Sequence, residues 1–168
     1  MFKAGVLTVS DSSFKGLRED SGGPLICDYL EKTGYFTVAA KDVCPDEKDH
    51  IEKILIRWTD ELKLDLIFTT GGTGLSPRDV TPEATSRVIE KSIPGISEAI
   101  RIFGLKKTSR AMLSRGISGA RDTCLIINLP GSPKAIRDGL EAVGEVLIHA
   151  IKKLQGDTTP CGDTENTR

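Results

Sequence analysis

The chain lacks a long hydrophobic run. No stretch of it approaches the ~20 apolar residues that a membrane span requires. Its first residues, MFKAGVLTVSDSS, hold too short an apolar run for a secretory leader. A cytoplasmic protein with no membrane partner is expected. A basic excess is also missing. Lys and Arg number 23 against 24 Asp and Glu, giving a net charge of −1 with the signs interspersed. Nucleic-acid binding draws on a large basic excess, so no nucleic-acid partner is expected, while a local basic pocket for a small anion stays open. The four cysteines, Cys27, Cys44, Cys124 and Cys161, form no C-x-x-C pair, and there are only two histidines. That composition does not make a zinc site, so buried free thiols plus one in the tail are expected. Both familiar phosphate-loop patterns are absent from the main glycine-rich stretch. No Gly-Lys-Ser/Thr follows it, and its glycines do not fit G-x-G-x-x-G. Nor does an internal repeat or a linker divide the chain.

What is present suits one globular domain. Apolar residues make up 38 % of 168 and charged residues 28 %, enough for a single core. The domain is expected over residues 1–155, with 156–168 a polar, disordered tail. Residues 3–10 (KAGVLTVS) read as a short buried strand. Ser21-Gly22-Gly23-Pro24 opens a helix that runs to about Lys32, with Gly34 as its stop. Residues 37–44 (TVAAKDVC) read as a second strand. Ile51, Ile54, Leu55, Trp58 and Leu62 recur at helical spacing, so they share one face of a helix over residues 47–63. Residues 64–70 (LDLIFTT) form a third strand. Thr81 is expected to cap a helix that starts at Pro82 and Glu83 and reaches about Lys91. Another helix follows Pro94-Gly95 and carries Ile96, Ile100 and Phe103. Residues 124–129 (CLIINL) make a fourth strand. Pro130-Gly131-Ser132-Pro133 then opens one continuous last helix, striped by Ile136, Leu140, Val143, Leu147, Ile151 and Leu154. Alternating strands and helices predict a three-layer α/β/α sandwich with a mainly parallel central sheet. Such sheets take ligands at the carboxyl ends of their strands.

The unusual loops all fall on that rim. Ser10 and Asp11 follow the first strand, and Pro45-Asp46-Glu47 the second. Thr70, Gly71, Gly72, Thr73 and Gly74 follow the third, and Pro130, Gly131 and Ser132 the fourth. The glycine loop reads either as a tight turn or as a cradle of N–H groups for phosphate. Ser132 reads either as a helix cap or as part of a second set of N–H donors at a helix start. Asp46 and Asp79 lie in loops near prolines. They read as turn aspartates or as a carboxylate pair that holds Mg²⁺ beside a substrate phosphate. Arg78 and Arg115 are either exposed arginines or counter-charges for phosphate. His50 reads as a surface residue and His149 as a structural one.

In order along the chain, "PDE", "TTGGTG…PRDVTPEAT", "LSR" (Leu113-Ser114-Arg115) and "NLPGSPKA" resemble the molybdopterin adenylyltransferases of molybdenum-cofactor biosynthesis. The G domains of gephyrin and its plant counterpart are the eukaryotic relatives of that family. The likeness covers roughly residues 3–154. It implies the molybdenum-cofactor biosynthesis fold and transfer of AMP from ATP to the terminal phosphate of molybdopterin, with release of pyrophosphate. Asp46, Asp79 and Ser114 fall on the family's catalytic positions, the two aspartates with tentative Mg²⁺ roles. Thr70, Gly71, Gly72, Thr73, Gly74, Pro130, Gly131 and Ser132 would line the nucleotide and phosphate pocket. Ser10 and Asp11 are the weaker candidates for molybdopterin. The resemblance further implies a homotrimer and, as a partner, the molybdenum-insertion protein. The alternative on the same fold is a protein that binds molybdopterin, or scaffolds the pathway, without catalysis.

Overall fold

Side chains alternate faces along a strand, so apolar residues at both parities need helices on both sides. The computed structural model describes residues 1–158 and shows that arrangement. In chain order the elements are β1 (Phe2–Val9), α1 (Asp11–Phe14), α2 (Gly22–Lys32), β2 (Phe36–Cys44) and α3 (Lys48–Asp60). Next come β3 (Leu66–Thr70), α4 (Thr81–Val88), β4 (Lys91–Ser92) and α5 (Pro94–Leu105). A 3-10 turn (Ser109–Leu113), β5 (Ser118–Arg121), β6 (Cys124–Leu129), α6 (Pro133–Val143) and α7 (Leu147–Leu154) complete the described chain. The sheet order is β2-β1-β3-β6-β5-β4. The first four of those strands run parallel, and β5 and β4 are antiparallel additions at one edge.

Ala4 and Val6 of β1, Leu66 and Phe68 of β3, and Leu125, Ile127 and Leu129 of β6 face one side. There they meet α2 (Ile26, Leu30), α5 (Ile96, Ile100), α6 (Ile136, Leu140) and α7 (Leu147, Ile151). Leu7, Val9, Ile67 and Ile126 face the other side. They meet α3 (Ile51, Leu55, Trp58) and α4 (Ala84, Val88). The expected three-layer sandwich is therefore observed. Trp58 lies where β1 carries Gly5. A side chain there would start 2.7 Å from the indole and from Leu64.

Several boundaries differ from the sequence reading. The pair β4–β5 was not expected, because Ser-Gly-Ala-Arg has no apolar pattern. It is held by the ladder to β6 and by the buried contact between Ser97 and Ser118 hydroxyls at 2.6 Å. The last helix is not continuous. A 3-10 turn at Gly144–Val146 separates α6 from α7. At this break Tyr29 packs against Gly144 and donates to the Leu140 carbonyl at 3.3 Å. The third helix stops at Asp60, and Leu62 is 37 % exposed, off the buried face. Cys44 and Cys124 are buried and Cys27 is half-buried, all as free thiols, while Cys161 lies outside the described residues. The expected tail falls largely outside them as well, from residue 159 on. Among the described residues no helix is long and apolar enough to cross a membrane.

Candidate functional site

The chain leaves β1 for β2 on one side and then returns to β3 on the other side of β1. The strand order reverses there, so a crevice opens beyond the carboxyl ends of β1 and β3. The glycine loop fills that position. Gly71 and Gly72 have φ of 92° and 62°, the left-handed region that glycine tolerates. The loop is tied from behind. Thr81 donates through Oγ1 to the Gly71 carbonyl at 2.9 Å and through its N–H to that of Gly72 at 3.1 Å. Arg115 donates its N–H to the Thr73 carbonyl at 2.9 Å and its Nε to that of Gly74 at 2.8 Å. All four carbonyls are thus taken. The N–H groups of Gly72, Thr73 and Gly74 donate to nothing among the described residues. The second loop joins the first, since the Thr70 hydroxyl donates to the Pro130 carbonyl at 2.7 Å and Gly131 packs on Gly71. Ser132 caps α6 as expected, accepting from the Ala135 N–H.

Two cavities flank this wall. The smaller, about 350 Å³, is lined by Asp46, Asp79, Asp20, Glu19 and Ser10, with Arg18 as its one cation among the described residues. The larger, about 610 Å³, is lined by residues 71–74, Pro130 and Ser114, with Arg101, Arg110 and Lys134. Gly71, Gly72, Asp79, Gly131 and Ser132 line both, and Thr70 lines the smaller. A third cavity, about 790 Å³, lies between α2 and the α6–α7 break. It is larger but is lined by aromatic, aliphatic and scattered polar or charged side chains, and by none of the loops above.

Asp46 and Asp79 do converge. A Cβ built on Gly72 would lie 3.0 Å from Asp46 Oδ1, and one on Gly74 would lie 2.9 Å from Asp79 Oδ2. Asp46 Oδ2 accepts from the Asp11 N–H at 2.8 Å, and Asp79 Oδ2 from the Ser76 N–H at 2.7 Å. Each carboxylate keeps its Oδ1 for a ligand. Burial pushes the Asp46 carboxyl up, and the charges of Asp11 and Asp79 add to that; the Asp11 N–H and Arg78 oppose it. This is a site with surplus negative charge that a cation would relieve. Among the described residues no cluster of three or more His, Cys, Asp or Glu could hold a metal by itself. Mg²⁺ commonly takes one or two carboxylates plus substrate phosphate oxygens, so two aspartates fit it and fit zinc poorly.

Other assignments change. Asp11 lines neither cavity; Arg78 hydrogen-bonds it and holds its carboxyl below the usual range. Arg115 forms an ion pair with Glu83 and donates to the Asp79 carbonyl at 2.7 Å, so it clamps the loop. Neither arginine lines the two cavities beside the glycine loop, whereas Arg101, Arg110 and Lys134 line the larger one. No motif marks Arg101 or Arg110 in the sequence, although Lys134 lies within "NLPGSPKA". Thr81 is the first residue of α4, not its cap, because its hydroxyl serves the glycine loop. Asp20 was missed as well. It caps α2 through the N–H groups of Gly22 (3.1 Å) and Gly23 (2.9 Å), a role that its position before Ser21-Gly22-Gly23 could have suggested. His50 and His149 are exposed and outside the site.

The sequence model of the family described as "Probable molybdopterin binding domain" matches residues 5–150. The chain belongs to that family. Over 159 residues it is 43 % identical to a protein of Helicobacter pylori (strain ATCC 700392 / 26695) named molybdopterin adenylyltransferase, covering 91 % of this chain and 88 % of that one. It is 41 % identical to the molybdenum cofactor synthesis protein cinnamon of Drosophila melanogaster over 92 % of this chain, which spans only 26 % of that longer protein. The solved structure of the molybdopterin biosynthesis enzyme MoaB from Thermus thermophilus matches with a TM-score of 0.88 at 50 % identity, covering 94 % of this chain and 98 % of that one. Membership in the molybdopterin-binding-domain family and its mainly parallel fold thus agree with the sequence motifs.

Proposed function

We propose that this chain is a molybdopterin adenylyltransferase of molybdenum-cofactor biosynthesis. A terminal phosphate oxygen of molybdopterin attacks the α-phosphorus of ATP. The new P–O bond forms as the bond from the α-phosphorus to the β-phosphate oxygen breaks, and pyrophosphate leaves with that electron pair. Such transfers need positioning and charge neutralisation more than covalent help. The observation that carries this reading is the row of three adjacent, unengaged N–H groups at Gly72, Thr73 and Gly74. Their carbonyls are locked behind them, so the row is preorganised for anionic oxygens. The Gly131–Ser132 helix start adds the favourable end of a helix dipole. Arg101, Arg110 and Lys134 supply positive charge in the larger cavity. Ser114 offers a hydroxyl to the transferring phosphate from the same wall. Asp46 and Asp79 would hold Mg²⁺, which when bound offsets triphosphate charge.

This reading also assigns a cytoplasmic homotrimer that passes its product to a molybdenum-insertion protein. Purified protein given ATP, Mg²⁺ and molybdopterin should release pyrophosphate. Asp79→Ala should lower that rate by about two orders of magnitude, the scale of losing one preorganised electrostatic group. An unchanged rate removes Asp79 from the site. Tight molybdopterin binding with no pyrophosphate from the wild type would establish the non-catalytic alternative.

A further inference from the structure

Arg78 lays its guanidinium on Asp11 in two parallel bonds, Nε to Oδ2 at 2.9 Å and Nη2 to Oδ1 at 2.9 Å. Asp11 in turn exchanges two bonds with Asp46. Its N–H donates to Asp46 Oδ2 at 2.8 Å, and the Asp46 N–H donates to Asp11 Oδ1 at 3.1 Å. Arg78 directly precedes Asp79 in the chain. A single residue, the first of α1 just beyond β1, therefore joins the loop that carries Asp46 to the loop that carries Asp79.

We infer that Asp11 and Arg78 are positioning residues: as one bidentate unit they set how the Asp46 and Asp79 carboxylates stand relative to each other, and so govern the pair's affinity for a divalent cation. This deepens the function proposed above and rests on it. A planar guanidinium on a carboxylate fixes direction as well as distance, which a lysine cannot do. Asp46 and Asp79 each have one oxygen anchored to a main-chain N–H, so moving a loop moves its carboxylate. The unit itself is peripheral, with the Arg78 side chain 57 % exposed and that of Asp11 29 %. Exposed pairs contribute little to folding, so holding the fold together does not account for this one. Partners that hold ligating carboxylates do affect metal affinity, by roughly 10- to 100-fold when removed.

The test uses Mn²⁺ as the probe. Its binding to the ATP-loaded protein is read from the paramagnetic resonance signal of the free ion, which needs no turnover. Asp11→Asn keeps an oxygen for the Asp46 N–H and leaves the Asp11 main chain in place, but removes the charge that holds Arg78. Arg78→Gln and Arg78→Lys remove the fork. Each single variant should weaken Mn²⁺ binding about tenfold, while its melting midpoint stays near that of wild type. The double variant Asp11→Asn/Arg78→Gln should lose no more than either single, as expected of one unit. Lysine at position 78 should fail to restore affinity. Unchanged Mn²⁺ affinity in Asp11→Asn overturns the inference, as does an additive double variant or a wild type that binds no Mn²⁺. Weaker ATP binding in Arg78→Gln but not in Asp11→Asn would make Arg78 a phosphate contact instead. A wild type that binds Mn²⁺ and ATP yet releases no pyrophosphate sinks the adenylyltransferase reading, and the Mn²⁺ affinities still decide this one.

Discussion

Asn128 lies within the "NLPGSPKA" motif, where a reader of the sequence would look for a ligand contact. The structure predicts that its replacement damages stability instead. Asn128 is 2 % exposed. Its Nδ2 donates to the hydroxyls of Thr69 (2.8 Å) and Thr85 (3.0 Å), and its Oδ1 accepts from the Ile117 N–H at 3.2 Å. One amide therefore joins β3, α4 and the approach to β5 beneath the glycine loop. Asn128→Ala strands the Ile117 N–H, at about 1–3 kcal/mol, and loses two hydroxyl bonds at about 0.5–1.5 kcal/mol each. The sum is roughly 2–6 kcal/mol, with a middle value near 4. For a chain of this size each kcal/mol moves the melting midpoint by about 2–4 °C, so a fall of roughly 8–16 °C is expected. Calorimetry, with urea titration as an independent measure, reads this directly. A fall of less than about 2 °C together with a large loss of pyrophosphate release would refute the reasoning, since that is how a ligand-facing asparagine behaves.

Gly72→Ala places a methyl in the left-handed region against Thr81 and Asp46; about 1–2 kcal/mol of backbone strain and a loss of pyrophosphate release should follow. Gly95→Ala in α5, with nothing within 4 Å of the added carbon, is the control that should leave pyrophosphate release unchanged and, if anything, raise stability by about 0.4–1 kcal/mol. The Asp60–Arg121 pair lowers the Asp60 pKa from 3.8 to about 2, chiefly through Arg121 hydrogen bonds. A depressed carboxyl stabilises the fold above its unfolded value and loses that contribution as it protonates. Urea titrations from pH 4 down to pH 2 should therefore show a shallower decline for Asp60→Asn than for wild type, and parallel declines would count against the pair. Burial holds the Cys44 thiol up at about 12 and pushes Cys124 up as well. Alkylation at pH 8 followed by peptide mapping should leave both unmodified in the folded protein while half-buried Cys27 reacts; rapid labelling of Cys124 would contradict its burial.

Much of the parallel part of the sheet was legible because buried strands are mostly apolar with no strict polar alternation, as in KAGVLTVS, LDLIFTT and CLIINL. The glycine loop and its neighbours on one rim followed from that. What the sequence did not reveal depends on partners far along the chain. β4 and β5 are polar and short, so only their neighbours make them strands. Thr81 obeys every rule for a helix cap, yet a loop ten residues earlier claims its hydroxyl. Arg78 and Arg115 looked alike as counter-charges until Asp11 and Glu83 were placed beside them. Arg101, Arg110 and Lys134 come from separate segments and converge only in three dimensions.

The glycine loop is a single sheet of backbone with a chamber on each face, and that has a thermodynamic corollary. Whatever free energy one occupant invests in fixing the wall is available to the other, and linkage makes the effect mutual. Under the proposed function, any factor by which ATP tightens molybdopterin must equal the factor by which molybdopterin tightens ATP. Gly71 and Gly72 line both chambers, so any coupling between the two substrates of the proposed reaction would run through that shared backbone.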